Sequence, residues 1–399
     1  MITRPRDLAS SLGDYLTDEW RAAFDATPRH LFVPDQALMS INGHKIPIDR
    51  DADPDAWLDA VYRDVALIIQ LDDGADHGPR QHTSSCSMPQ VVLSMLTALE
   101  IKPGQRVLEI GTGTGYSAAL LAHRLGSQNV TSMEIDPGIA EQARANLAKV
   151  NRPVTVITGE GVHGYPSRAP YDRIIATAAV LAGQLPYEWV RQTVPRGMIL
   201  TPWGTSFRNG ELVSLIVQPD ATAVGSIVDA VAFMRLRSQR TPLGAARLGG
   251  LVEHSTSAIE SVTSLCPEEI TSHEDSEFAV GLFLAGVQYS IARDDARPDT
   301  YELLLYDVAT ESAATVQVTP EHTRNGIFPV RQYGPRQLWN EAETAHTWWA
   351  QHGRPARTRY GLTITPHTQT VWLDRPGNII AESATGPNLC GRPSPTSAS

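Results

Sequence analysis

Cysteine is scarce in this chain. Cys86, Cys266 and Cys390 are the three in 399 residues, and their spacing fits neither a disulfide framework nor a metal-ligand set. A reducing cytoplasm is therefore the expected compartment, and no metal is expected. Long apolar runs are also missing. No stretch approaches the roughly eighteen apolar residues that a membrane-spanning helix needs. The opening Met1-Ile-Thr-Arg-Pro-Arg-Asp7 has no apolar core behind it, so no secretory signal is expected. Positive charge is in deficit, with 33 Lys and Arg against 44 Asp and Glu, a formal net charge of −11. That balance argues against broad binding to nucleic acid or to an anionic membrane. The chain carries no internal repeat.

What is present describes a globular protein, with 42% hydrophobic and 19% charged residues. At 399 residues it exceeds one ordinary core, so two domains are expected. The most informative stretch is Val107-Leu-Glu-Ile-Gly-Thr-Gly-Thr-Gly-Tyr116. Val107–Ile110 suits a buried parallel strand. Gly111, Gly113 and Gly115 break it, and Tyr116–Leu125 continues in a helical pattern. Such a strand, turn and helix let a ligand lie on bare backbone near a helix N-terminus. The spacing is Gly-x-Gly-x-Gly, not the dinucleotide Gly-x-Gly-x-x-Gly, because Tyr116 stands where the last glycine would be.

Strands and helices then alternate. Strands are expected at Val130–Ile135, Val154–Thr158, Arg173–Thr177, Met198–Trp203 and Glu211–Gln218, with helices at Gly138–Val150 and Gln184–Gln192. This predicts an α/β fold with a mainly parallel, doubly wound sheet. Before it, residues 1–40 read as helical, 41–82 as irregular apart from a strand at Val65–Leu71, and Pro89–Leu99 as a helix. From about 245 the rhythm becomes α+β. Hairpins are expected around Ala309–Ser312 and Pro366–Gln369, and a helix at Pro335–Gln351. The expected organisation is a segment 1–82, a core 83–240, a smaller α+β region 245–375 and an unstructured tail 376–399.

Three acids fall near the carboxyl ends of successive strands: Glu109, Glu134 and Glu160, the last within Gly159-Glu160-Gly161. In open α/β sheets that edge forms the ligand crevice, and an acid about twenty residues past the glycine turn accepts ribose hydroxyls. A second stretch, His82-Thr83-Ser84-Ser85-Cys86-Ser87-Met88-Pro89, crowds hydroxyls ahead of a helix. Read alone it is N-cap chemistry, with Ser87 as the cap. Arg29, His30, His77, Arg80 and His82 read either as positive potential for an acidic substrate or as surface and core bases.

The decapeptide resembles motif I of class I S-adenosylmethionine (SAM) methyltransferases. Taken with Pro28-Arg29-His30-Leu31-Phe32-Val33-Pro34, Ser87-Met88-Pro89, Gly159-Glu160-Gly161 and Ala169-Pro-Tyr-Asp-Arg-Ile174, the chain resembles the protein-L-isoaspartate O-methyltransferase family over roughly residues 15–235. The resemblance implies a Rossmann-like SAM-binding core and the cofactor SAM, with S-adenosylhomocysteine as product. The implied cofactor residues are Glu109, Gly111, Thr112, Gly113, Thr114, Gly115, Tyr116, Glu134, Ile135, Gly159, Glu160, Gly161 and Thr177. Ser87, Ser85 and Thr83 are the implied catalytic hydroxyls, and His82, Ser87 and Arg29 the implied substrate contacts. The chain departs from the family pattern in Glu160, where Asp is usual, and in the region beyond 245, which the short repair enzymes lack.

That region, including Gln332–Trp339 and Gly361–Asp374, resembles the extension of long members encoded beside ribosomally made peptides. The implied partner is a peptide or protein bearing Asp or isoaspartate. The implied act is methylation of an aspartate in a macrocyclic peptide of graspetide or lanthipeptide type, giving an aspartimide. Isoaspartyl repair, a small-molecule methyltransferase and a SAM-binding interaction module stand as alternatives.

Overall fold

The computed structural model describes residues 4–41, 44–294 and 296–385. The chain divides into two compact units. One comprises Met1–Ala179, Pro186–Pro202 and Ser214–Ala223, and the other Val180–Leu185, Trp203–Val213 and Val224–Ser399. The first 82 residues therefore belong to the same unit as the glycine loop. The long final segment of the second unit starts at Val224, ahead of the expected boundary near 240–250, and two earlier segments of that unit lie inside the expected core.

In the first unit five parallel strands run in the order Thr155–Thr158, Val130–Glu134, Val107–Ile110, Tyr171–Ala176 and the start of Thr193–Gly204. All four residues of Val107–Ile110 are buried, as an apolar run covered on both faces requires. The chain order reverses beside this strand, with the second and third strands on one side and the fourth on the other. A crevice for ligand forms at such a reversal, at the carboxyl ends of the strands.

A second, four-stranded antiparallel sheet in this unit has the order His44–Asp49, Gln36–Ile41, Leu67–Leu71, His82–Cys86. Only Leu67–Leu71 is legible in the sequence. Residues 36–40 are strand, not helix, and the hydroxyl run 82–86, read as N-cap chemistry ahead of a helix, is strand. The helix Pro54–Val61 also lies where irregular chain was expected. Asp53 caps it by accepting the Ala56 N–H at 2.9 Å, and Pro54 opens its first turn.

The second unit holds an antiparallel sheet in the order Ile259–Thr263, Phe328–Tyr333, Ser312–Val318, Arg297–Asp307, Gln288–Asp294. Period-two alternation dresses both of its faces. Leu303 and Leu305 pack into a cluster with Val280, Trp339 and Ala342, while Leu304 and Tyr306 pack with Leu248 and Val252. Trp339 and Trp349 are buried here. The segment 278–283 lies in the helix Glu274–Phe283. Within the segment from 376 expected to be unstructured, Ile379–Ala384 is a strand that pairs antiparallel with Thr368–Leu373. The rest of that tail, with Cys390, lies outside the described residues.

Candidate active site

The glycine loop is built by backbone bonds from the neighbouring strand. Gly111 and Thr112 donate their N–H groups to the Met133 carbonyl at 2.8 and 3.0 Å, and Gly115 donates to Thr112 at 2.9 Å. Gly111, Gly113 and Gly115 have φ of +97°, +51° and +86°, the left-handed region that side chains resist. A Cβ on Gly111 would sit 2.7 Å from the Thr177 Oγ1, and one on Gly113 would sit 3.2 Å from the Ser85 carbonyl. The second contact brings the hydroxyl-rich strand directly against the loop.

Glu134 ends its strand with 8% exposure. One carboxylate oxygen accepts the Gly113 N–H at 2.9 Å and the other the Asp136 N–H at 3.2 Å. Burial raises its pKa, against the lowering effect of these bonds. A carboxylate offers about four lone-pair sites, so Glu134 retains capacity for a ribose hydroxyl. Ile135 follows it, half-buried. Glu160 lies beside it, since Gly159 donates its N–H to the Glu134 carbonyl at 2.8 Å. Gly161 is buried, and its carbonyl accepts the Trp189 indole N–H at 2.8 Å.

Glu109 does not share that edge. It pairs with Ser132, two residues below Glu134, and is fully buried. Its two oxygens are taken by the Ser117 and Ser132 hydroxyls. Burial pushes its pKa up to about 7, the two hydroxyl bonds oppose this, and Glu134 adds to it. Glu109 thus pins the start of the helix Tyr116–Leu125, and its full burial keeps its carboxylate from a cationic ligand. Thr112 bonds the same Ser132 hydroxyl at 2.6 Å. Thr114 is buried, and its carbonyl accepts from the Asn146 side chain at 3.1 Å. Thr177 donates to the Gly111 carbonyl at 2.5 Å, so it closes the loop from the far side of the strand reversal. Tyr116 is buried with its ring edge-on to Phe32 at 5.6 Å, and burial raises its pKa.

Two of the expected catalytic and substrate residues, Arg29 and Thr83, are held elsewhere. Arg29 is 1% exposed. Its guanidinium donates to the carbonyls of Val61, Arg63, Val65, Cys86 and Ser87 at 2.7–3.3 Å. It fixes the backbone at Ser87 and does not face a substrate. Thr83 donates to the Gln70 Oε1 at 2.9 Å and accepts the Asp73 N–H at 3.0 Å. His82 is half-buried, and burial and then Lys45 lower its pKa, so it brings no charge to a carboxylate near neutral pH. His30 is likewise lowered, by burial and then Arg50, and bonds the Tyr62 hydroxyl at 2.6 Å.

Ser87 is not the helix cap. Met88 occupies that position for Pro89–Ala98 without a side-chain bond, and Asp64 accepts the Gln90 N–H at 2.8 Å. Among the described residues the Ser85 and Ser87 hydroxyls have no hydrogen-bond partner. Both hydroxyls are free to donate, with nothing inside the protein competing for them. Gln70, Asp64 and Asn146 carry no signal in the sequence. Only Asp136, before Pro137, carries a visible one, that of a helix cap.

This arrangement can be compared with known proteins. The family model described as protein-L-isoaspartate(D-aspartate) O-methyltransferase (PCMT) matches residues 44–241. A protein-L-isoaspartate O-methyltransferase 2 of Polaromonas sp. is 36% identical over 163 residues, covering 41% of this chain and 75% of that protein. A protein-L-isoaspartate O-methyltransferase of Methanoregula boonei is 39% identical over 184 residues, covering 46% of this chain and 69% of its own length. The chain belongs to the protein-L-isoaspartate O-methyltransferase family. It is a class I methyltransferase, and SAM is its cofactor. A solved structure titled protein-L-isoaspartate O-methyltransferase covers 93% of this chain and 100% of its own, at 22% identity and a TM-score of 0.52, so it shares the fold.

The residues present fit this cofactor. The close approaches at Gly111 and Gly113 keep side chains off the loop, and Glu134, with Glu160 beside it, would supply acceptors at the carboxyl ends of the strands. No helix among the described residues is long and apolar enough to cross a membrane.

Proposed function

We propose that this family member transfers a methyl group to an aspartate-type side-chain carboxylate in a polypeptide. The single observation that carries the reading is the pair of uncommitted hydroxyls, Ser85 and Ser87, in the segment whose Ser85 carbonyl approaches Gly113 of the glycine loop. A carboxylate is ionised near neutral pH and is itself the nucleophile, so no strong base is required. A phenol or amine acceptor would need one, and neither serine supplies it. When bound, SAM supplies an electrophilic sulfonium methyl. Ser87 and Ser85 donate hydrogen bonds that aim one carboxylate oxygen without full charge pairing, and the protein holds the reacting atoms together and excludes water. The O–CH3 bond forms as the S–CH3 bond breaks. In the resulting ester the next backbone nitrogen attacks the carbonyl, and methanol leaves with the amide proton, closing a succinimide.

The names of these relatives favour isoaspartyl residues of proteins as acceptors. The finer reading is a dedicated macrocyclic peptide whose ring-closed aspartimide is the product, made in a reducing cytoplasm. What supports it is the resemblance of the region beyond 245, which lies outside the residues the family model matches, to the extension of long members encoded beside ribosomally made peptides. Mass spectrometry separates the two. The chain is incubated with SAM and either an isoaspartyl peptide or an aspartyl macrocycle. A gain of one methylene and then loss of methanol on the macrocycle supports tailoring. Activity confined to the isoaspartyl peptide rules tailoring out.

A further inference from the structure

Strand His82–Cys86 and the segment after Glu134 are joined by one side chain. Gln70 donates through Nε2 to the Asp136 Oδ2 at 3.0 Å and accepts from the Thr83 hydroxyl at 2.9 Å. Asp136 stands two residues beyond Glu134, and its other oxygen caps the helix Pro137–Lys149 through the Gly138 and Ile139 N–H groups at 2.9 and 3.1 Å. Thr83 is the extra residue of a bulge, since Gln70 pairs with Ser84 and Leu71 with His82. A bulge re-aims a side chain, here toward Gln70.

The polarity of this chain of bonds is fixed from one end. A carboxylate can only accept, so the Gln70 amide must turn its nitrogen to Asp136 and its oxygen to Thr83. The Thr83 hydroxyl must then give its proton to Gln70, while the Asp73 N–H fills its acceptor side. Thr83 cannot orient a carboxylate, and acceptor orientation falls to Ser85 and Ser87.

We propose that Gln70 is a positioning residue that couples the cofactor loop to the acceptor strand, so that loading Glu134 orders residues 82–86. The proposal rests on the cofactor assignment of Glu134 and on the acceptor reading of Ser85 and Ser87. Gln70→Leu keeps the volume and removes both bonds. Gln70→Glu keeps an acceptor for Thr83 but sets a second carboxylate against Asp136. Thr83→Val cuts the relay from the acceptor side, and Thr83→Ser preserves it.

Hydrogen exchange of the full chain with and without S-adenosylhomocysteine tests the coupling and requires no acceptor. In the wild type the ligand should slow exchange over 111–116 and, by about fivefold or more, over 82–86. Gln70→Leu, Gln70→Glu and Thr83→Val should keep the first protection and lose the second, and Thr83→Ser should keep both. Equal protection of 82–86 in Gln70→Leu and wild type, or none in the wild type, overturns the proposal. If Gln70→Leu does not fold, Thr83→Val makes the same distinction, and protection of 82–86 equal to wild type in that variant overturns the proposal. Turnover on an isoaspartyl peptide is read separately. Intact coupling without turnover would leave the relay standing and sink the carboxylate reading.

Discussion

Asp64 accepts the Gln90 N–H at 2.8 Å and so caps the helix that Ser87 precedes. The division of labour between these two residues leaves the Ser87 hydroxyl for a substrate. Ser87→Ala should therefore cost little stability, leave S-adenosylhomocysteine affinity near wild type and slow methyl transfer. Asp64→Ala should lower stability by about 1 kcal/mol, the usual loss for a helix cap. Calorimetric titration, thermal melts and initial rates on both variants check this. A melting-temperature loss in Ser87→Ala matching that of Asp64→Ala would assign the cap to Ser87 after all.

Glu134→Gln keeps the shape and removes the charge that accepts the Gly113 N–H at 2.9 Å. Hydrogen bonds to charged groups contribute about 1.5–3 kcal/mol. Affinity for S-adenosylhomocysteine should therefore fall by roughly ten- to a hundredfold. The KM for SAM should rise more than kcat falls. A change in kcat alone would place Glu134 in the transfer step and not in cofactor binding.

Gly113→Ala places a methyl group 3.2 Å from the Ser85 carbonyl at a residue with φ of +51°. Left-handed backbone costs a non-glycine residue roughly 1–2 kcal/mol. The variant should lose cofactor affinity and also raise the KM for the acceptor, because the loop and the acceptor strand touch there. Loss of cofactor affinity with an unchanged acceptor KM would show that the two are independent.

Arg29→Met strips five carbonyls of their buried donor. Destabilisation of several kcal/mol is expected, since each unsatisfied buried acceptor costs about 1–3 kcal/mol. Denaturant unfolding measures it. A stable variant with a raised acceptor KM would return Arg29 to the substrate site.

Glu109 gives a pH signature. Its folded pKa is about 7, above the 4.5 of the free side chain, so the native state binds the proton more tightly. Its contribution to stability is full below pH 4.5 and is lost as pH rises through about 7. Glu109→Gln should flatten the melting-temperature profile across that window. An unchanged profile would show that Glu109 stays ionised in its pair of hydroxyl bonds.

The parallel strands are legible in the sequence because a strand buried on both faces reads as an apolar run, as Val107–Ile110 does. The edge strand His82–Cys86 is not, because its hydroxyl side chains mimic a loop and its ladder partners lie 11–19 residues back along the chain. Glu109 and Glu134 look alike in sequence, both being acids near a strand end. What separates them is depth, set by the two-residue offset in register and by Ser117 and Ser132. Arg29 misleads for the same kind of reason, since its five acceptors come from 32 to 58 residues away. Local pattern finds the elements, whereas the commitments of a polar side chain are settled by partners distant in sequence.

The most direct test of the central claim follows the methyl group itself. The wild-type chain is incubated with methyl-labelled SAM and an isoaspartyl peptide, and the peptide is then treated with mild base. A carboxyl ester should release its label as volatile methanol, and Ser87→Ala should do so more slowly. Label that stays on the peptide through base would mean methylation at nitrogen, carbon or a hydroxyl, and would contradict the account.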